Sequence, residues 1–315
     1  MNNSPLLEDL RLFCLVARKR SFAASASELG VSPAYVSKRI AILEGSLGAR
    51  LLHRTTRRVT VTDHGETVCQ WAQRILEDIN DMAEAVSSAR TTPRGLLRIC
   101  TSSGFGRNHV APAVSELAAR YPELEVQLEF LDRPVDLLAE GYDLDIRLGE
   151  VRESSLIARR IAANRRILCA SPAYLAGRPA PARLADLARH QCIAIRERDQ
   201  AFGVWRLQGP KGMESVKVSG PLSVNNGETA HRWAMDGHGI VLRSQWDVQA
   251  SLEAGKLVRI LPQYHQEAHV WAVYPQRLSN SAKVRTFVQF LEGRLQARSG
   301  LAAAQPAFST SAPPM

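Results

Sequence analysis

With 315 residues, 45% of them hydrophobic, the chain has material for two or three separate cores, which excludes a fibrous or wholly disordered protein. No apolar run approaches the roughly 18 residues of a membrane span, and Met1 to Glu8 lacks the charged and apolar regions of a signal peptide, so a cytoplasmic location and no membrane partner are expected. The net charge of +9 is concentrated: ten basic residues stand against two acidic ones between Arg11 and Thr62, the footprint of a nucleic-acid partner.

In chain order, Leu6, Leu10, Phe13, Cys14 and Ala17 recur at helical spacing and predict an amphipathic helix over 6–17. Ser21 is the N-cap of a short second helix, Phe22 to Leu29, and Gly30 suits the left-handed turn that ends it. Ser32 then caps a third helix with Pro33 in its first turn. On that helix Val36, Ile40 and Leu43 share one face, so Ala34, Tyr35 and Lys38 must point outward. Two short helices joined by a glycine turn, followed by the basic hairpin Leu51 to Thr62, form a winged helix-turn-helix pattern over 5–62.

From His64 to Ser88, Val68, Trp71, Ile75, Ile79, Met82 and Val86 recur at spacings of three and four, a coiled-coil seam. Residues 63–90 therefore read as a linker helix that makes a homodimer, the alternative being a core helix packed within one subunit. Thr91 to Gly95 break it and form a hinge.

After the hinge, strands and helices alternate: Leu96–Thr101, Val110–Tyr121, Leu124–Leu131, Val135–Gly141 and Leu144–Leu148. This predicts an α/β unit with a mainly parallel sheet. A second α/β unit spans 171–264, with strands near Cys192 to Arg196 and Ile240 to Arg243. His269 to Tyr274 returns to the first unit, and Ser281 to Leu295 closes it. The expected plan for 96–298 is a two-lobed domain, with lobe I over 96–170 and 265–298 and lobe II over 171–264. The Ala-, Ser- and Pro-rich tail 299–315 reads as disordered.

Five cysteines lie far apart without a CxxC pair, which argues against a zinc ribbon or a disulfide framework and for reduced core thiols. His265 and His269 flank Glu267 on a strand-like stretch, not on a helix as HExxH requires. GxSxG, Walker and GxGxxG motifs are absent as well, so neither catalysis nor a cofactor or metal is expected. A two-lobed solute-binding protein or a hydrolase of unknown type are the alternatives; the first would be exported, and the second needs a histidine and an acid beside Ser102 or Ser103.

The stretch FAASASELGVSPAYVSKRIAILEGSLGARLLHRTTRRVTVTDHGE, Phe22 to Glu66, resembles the DNA-binding end of LysR-type transcriptional regulators. The resemblance implies an α+β multidomain fold: an N-terminal winged helix-turn-helix, a long linker helix and a C-terminal two-lobed α/β effector domain like a periplasmic binding protein. It also implies a dimer of dimers, hence a homotetramer on bent promoter DNA. SSGFGR (102–107), EGYDLDIRLG (140–149), RERD (196–199) and 222–228 are similar to the branch that regulates D-malate and tartrate utilisation. Many family members carry a glutamine where this chain has Pro33 and an alanine where it has Tyr35, so the usual glutamine-to-adenine contact does not carry over.

Double-stranded DNA is the expected macromolecular partner, met by Ser32, Pro33, Ala34, Tyr35, Ser37, Lys38 and Arg39 of the recognition helix. Lys38 would reach a guanine edge, Ser37 a phosphate, and Arg39 either the flanking backbone or a nearby acid. Arg54, Arg57 and Arg58 would hold phosphates or a minor groove. For the second ligand, a small anion, Ser102 and Ser103 follow a strand and precede a helix, with Phe105 close by. That turn reads either as a carboxylate site or as an ordinary cap. Asn225 and Asn226 form the facing edge of the other lobe. Arg147 ends an apolar strand and needs an acid such as Asp145 or an anionic ligand. Arg107, Arg133 and Arg198 are further anion candidates, and Phe202 with Trp205 is a candidate apolar wall.

Overall fold

The computed structural model describes residues 5–54, 59–86, 92–151, 155–196 and 202–303. Its contacts separate two compact units, Met1–Arg90 and Thr91–Met315.

The first unit starts with three helices, α1 (Leu7–Lys19), α2 (Phe22–Leu29) and α3 (Pro33–Leu47). Local chemistry sets their ends. The Ser21 hydroxyl accepts from the Ala24 amide at 3.2 Å and the Ser32 hydroxyl from the Tyr35 amide at 3.1 Å, each satisfying a donor that the first helical turn leaves open. Gly30, at φ +66°, supplies the left-handed residue that turns the chain between α2 and α3. Phe13, Val16, Val36, Ile40 and Leu43 are fully buried and form the centre of this small core.

The wing is an antiparallel hairpin of β1 (Leu52–Arg54) and β2 (Val59–Val61), with Leu52 opposite Val61. Glu44 fastens it to α3, its Oε1 accepting from the amides of Leu51 and Leu52 at 2.9 and 3.2 Å. The long helix α4 (Asp63–Val86) follows. Ala72 on α4 is buried in the three-helix core, whereas Trp71, Ile75 and Met82 are exposed.

The second unit opens with β3 (Gly95–Thr101), α5 (Ser103–Phe105), a π-helical turn (Gly106–Val110) and α6 (Ala111–Arg120). Then come β4 (Leu124–Phe130), α7 (Leu137–Glu140), β5 (Leu144–Leu148) and β6 (Leu156–Ala162). The second lobe contains β7 (Arg165–Ala170), α8 (Pro172–Leu175), a 3-10 turn, β8 (Ala194–Ile195), the hairpin β9 (Val204–Gly209) and β10 (Gly212–Lys217), and β11 (Ser223–Val224). It continues with α9 (Gly227–Met235), β12 (Val241–Ser244), α10 (Gln245–Glu253), β13 (Val258–Arg259) and β14 (Gln266–Glu267). The chain returns through β15 (Val270–Pro275) and ends in α11 (Ala282–Ala303).

The first sheet has the order β4-β3-β5-β15-β6. Its β3 runs parallel to β4 and β5, but β15 is antiparallel to both β5 and β6. The sheet is therefore mixed rather than mainly parallel, because the strand that leaves the lobe, β6, lies beside the one that re-enters it, β15. Leu97, Ile99, Leu117, Leu144, Phe287 and Leu291 pack its core, all fully buried.

The lobe limits also differ from the expectation. Both β7 and β14 belong to the second lobe's sheet, where β12, β13 and β14 all pair antiparallel with β7. An apolar run such as Ile167 to Ala170 marks a buried strand without saying which sheet takes it. The expected disordered tail is likewise shorter at its start, since α11 continues to Ala303; positions 304–315 lie outside the described residues.

Candidate functional site

In the first unit α3 presents Ala34, Tyr35 and Lys38 to solvent, with Ser37 half-buried at its side. The opposite face is held by Val36, Ile40 and Leu43, so this orientation follows from burial alone. The Tyr35 hydroxyl donates to Glu8 Oε1 at 3.2 Å, and Arg39 Nε donates to Asp9 Oδ1 at 2.6 Å. Asp9 is only 2% exposed, which makes the Arg39 pair an internal strut between α3 and the first turn of α1.

The second unit contains a cavity of about 610 Å³. Five arginines line it, Arg147, Arg166, Arg196, Arg206 and Arg243, against four carboxylates. A surplus of one charge does not by itself select an anion, so the arrangement of individual groups matters more. Arg243 is 9% exposed and bonds Asp247 through Nη2, while its Nε is buried without a hydrogen-bond partner. It lies against the first residue of α9: a Cβ on Gly227 would come within 2.0 Å of the Arg243 guanidinium. One buried cation and a helix N-terminus thus converge on the cavity, a combination that favours a carboxylate or phosphate.

A carboxylate of the protein already occupies the other helix start. Asp132 accepts from the Ser103 amide at 3.0 Å, from the Ser103 hydroxyl at 2.7 Å and from Asn226 Nδ2 at 2.8 Å. Asn226 in turn caps α9, its Oδ1 accepting from the Thr229 amide at 2.9 Å. A second bridge, Arg107 to Glu228 at 3.0 Å, also joins the lobes. Behind Arg243, His231 shares a 3.0 Å hydrogen bond with the Ser251 hydroxyl. Burial, and then the Arg243 charge, holds the His231 pKa below its ordinary value.

Residues 7–66 match the model of the bacterial regulatory helix-turn-helix protein, lysR family, and residues 90–296 match the LysR substrate binding domain. The chain belongs to the LysR family. It is a DNA-binding transcriptional regulator with a helix-turn-helix and a substrate-binding domain, and LysR regulators act as oligomers on DNA under the control of small-molecule effectors. Among its relatives, the HTH-type transcriptional regulator DmlR of Escherichia coli K12 is 56% identical over 291 residues, covering 92% of this chain and 95% of that one. The HTH-type transcriptional activator TtdR of the same strain is 45% identical over 300 residues, covering 95% and 97%. The solved structure of CrgA, a LysR-type regulator from Neisseria meningitidis, covers 91% of this chain and 98% of its own at 29% identity, with a TM-score of 0.58. No helix among the described residues is long and apolar enough to cross a membrane.

For this LysR-family chain the residues singled out from sequence fall into three groups. Ser102, Phe105, Arg147 and Asn225 line the cavity. Arg147 is 4% exposed and also bonds Asp145 Oδ2 at 3.0 Å, so the acid partner considered for it is present. Ser103 and Asn226 are not in the cavity lining, and their amide and hydroxyl donors are bonded to Asp132. Arg133 folds back on Glu140 at 2.8 and 2.5 Å and lies outside the cavity lining. Phe202 is exposed, with the Arg196 guanidinium 5.8 Å from its ring, and Trp205 is buried in the second lobe's core; neither forms the expected wall. Arg57, Arg58 and Arg198 lie outside the described residues, as does the side chain of Arg54.

Sequence reasoning missed Arg166, Arg206, Arg243 and Asp132. For Arg243 a signal was present: it follows Ile240, Val241 and Leu242 on a strand, the same charge at the end of an apolar run that drew attention to Arg147.

Proposed function

We propose that the chain is a sequence-specific regulator whose DNA affinity is set by a small dicarboxylate, malate- or tartrate-like, held in the cavity between the lobes. Arg243 carries this reading: it is a buried cation with one donor unfilled, beside the N-terminus of α9. Arg147, on β5 of the first lobe, and Arg166, on β7 beside the β12 strand of Arg243, also line the cavity and would serve a second carboxylate. The kinship with DmlR and TtdR, joined to the sequence resemblance to the D-malate and tartrate branch, supports a hydroxylated dicarboxylate. Closing on such a ligand changes DNA binding only if the two arrangements of the reading heads differ in ligand affinity.

On DNA, Lys38 and Tyr35 would face base edges from α3, Ser37 a phosphate, and Arg54, Arg57 and Arg58 the backbone or minor groove. The exposed Trp71, Ile75 and Met82 of α4 are the seam of the homodimer, two of which form the tetramer, in the cytoplasm. Calorimetric titration of the full chain with D-malate, the tartrate isomers and simple monocarboxylates tests the effector reading. Saturable binding of dicarboxylates only, lost in Arg243→Gln, is the expected result; silence toward all of them would refute it.

A further inference from the structure

Two of the five cysteines that stand far apart in sequence meet in the first unit. Cys14, on α1, and Cys69, in the second turn of α4, hydrogen-bond to each other through their side chains. Both are half-buried at the edge of the three-helix core, and both line a cavity of about 650 Å³ that Arg11 and Arg18 also border. The other three cysteines are fully buried, and burial pushes the thiols of Cys169 and Cys192 up to about 12. Cys69 goes the other way. The hydrogen bond from Cys14 brings it down to about 7, while Cys14, which holds the shared proton, is raised. Two thiols in contact at an opening that Arg11, Arg18 and Glu66 border are placed as a reactive pair rather than as packing cysteines.

We propose that Cys14 and Cys69 form a two-electron redox site, which hydroperoxides close into an intramolecular disulfide that staples α1 to α4 and weakens DNA binding. In the first step the Cys69 sulfur attacks one peroxide oxygen and the O–O bond breaks. The departing alkoxide, or hydroxide from hydrogen peroxide, takes up a proton. In the second step Cys14 attacks the sulfenic sulfur of Cys69, the S–O bond breaks, and the Cys14 proton leaves with the hydroxide as water. Two thiols are oxidised to one disulfide and the peroxide is reduced to alcohol and water.

The consequence for DNA follows from what α1 holds. A disulfide brings its sulfurs from hydrogen-bond contact to about 2.05 Å and fixes the torsion across them, which ties the position of α1 to that of α4. The first turn of α1 carries Glu8 and Asp9, which bond Tyr35 and Arg39 on the reading helix. Displacing α1 therefore displaces α3 through two side-chain bonds, one of them buried.

The test uses the reduced full chain, hydrogen peroxide, and a duplex selected by that reduced protein from a randomised pool. After alkylation and trypsin digestion, the expected product is a cross-link between peptides Leu12–Arg18 and Val59–Arg74 of one chain, two hydrogens lighter than the separate peptides. The apparent Kd for the duplex should rise by about fivefold or more and return on adding dithiothreitol. Cys14→Ser and Cys69→Ser should each bind the duplex like the reduced protein and lose the peroxide response; if one of them fails to fold, the other and the cross-link still decide. The proposal is overturned by absence of this cross-link, by Cys69 linking two chains, or by cross-linked protein whose Kd is unchanged.

Discussion

Asp132 of the first lobe and Asn226 of the second are joined by a 2.8 Å hydrogen bond, and Asp132 also holds the amide and hydroxyl of Ser103. A carboxylate that belongs to the protein thus sits on the helix start that the sequence left open between a ligand carboxylate and an ordinary cap. It fastens the lobes together and adds a negative charge to the cavity lining.

Asp132→Asn removes the charge at this junction and leaves one acceptor oxygen where the carboxylate had two, so an amide N–H now faces a donor of Ser103 or Asn226. Hydrogen bonds to a charged acceptor are worth more than neutral ones, so the effector unit should lose about 1–2 kcal/mol of stability. The affinity for a dicarboxylate should rise roughly threefold to tenfold, because one like charge has gone. Chemical denaturation and calorimetry at fixed ionic strength read the two effects, and weaker dicarboxylate binding by this variant would contradict the account.

How much of this was legible in sequence depended on range. The reading helix was, because Ser32, Pro33 and the buried triad Val36, Ile40 and Leu43 act within a few turns of one another. Asp132 was not, since its partners Ser103 and Asn226 lie 29 and 94 residues away and no periodicity links them. Assignment of β7 to a lobe failed for a related reason: strand pairing is decided by partners far along the chain, while the apolar run that marks a strand is local. Cys14 and Cys69 show the same limit, as their contact exists only once α1 packs on α4.

Arg39 is expected to act inside the protein rather than on a phosphate. Arg39→Met leaves Asp9, 2% exposed, as an uncompensated buried charge and should cost about 3–5 kcal/mol in the first unit. Replacing both partners, Asp9→Leu with Arg39→Met, should restore most of that loss, and the slope of log K against log salt should match that of the unaltered protein. A slope reduced by about one in the double variant would return Arg39 to the DNA backbone.

Lys38 is exposed on the outward face of α3, and on the proposed reading it is the side chain that meets a base edge. Lys38→Ala should lower discrimination between the selected duplex and single-base variants of it by about 1–3 kcal/mol at the position read. Affinity for random duplex should change much less. Competition binding against both DNAs checks this, and equal losses on the two would assign Lys38 to phosphate.

The depressed pKa of His231 gives the effector unit a defined pH response. Unfolded, the imidazole takes a proton near its ordinary value of 6.5; folded, burial and Arg243 oppose protonation until the pH is lower. The unfolded state therefore binds more protons as pH falls below about 6.5, and stability is lost there and is full above it. His190 is shifted in the same direction, by burial first and then by Arg178. Thermal melts of the unaltered chain should fall in Tm between about pH 7.5 and 5.5. The fall should be shallower in His231→Gln, and an identical pH slope in that variant would exclude His231 as a source.

Gly227 separates the role of Arg243 as an anion anchor from a role in packing alone. Its backbone φ is not in the left-handed region, so alanine at the first position of α9 is conformationally acceptable. The added Cβ nevertheless meets Arg243 Nη1, Cζ and Nη2 at 2.0, 2.3 and 2.5 Å, and the guanidinium must move away from the helix start. Gly227→Ala should therefore weaken dicarboxylate binding by about tenfold, close to 1.4 kcal/mol, with the fold retained by circular dichroism. Duplex affinity without a dicarboxylate should stay unchanged, since Gly227 lies in the effector unit. If Arg243 only packs the second lobe, the same substitution should lower Tm and leave dicarboxylate affinity where it was.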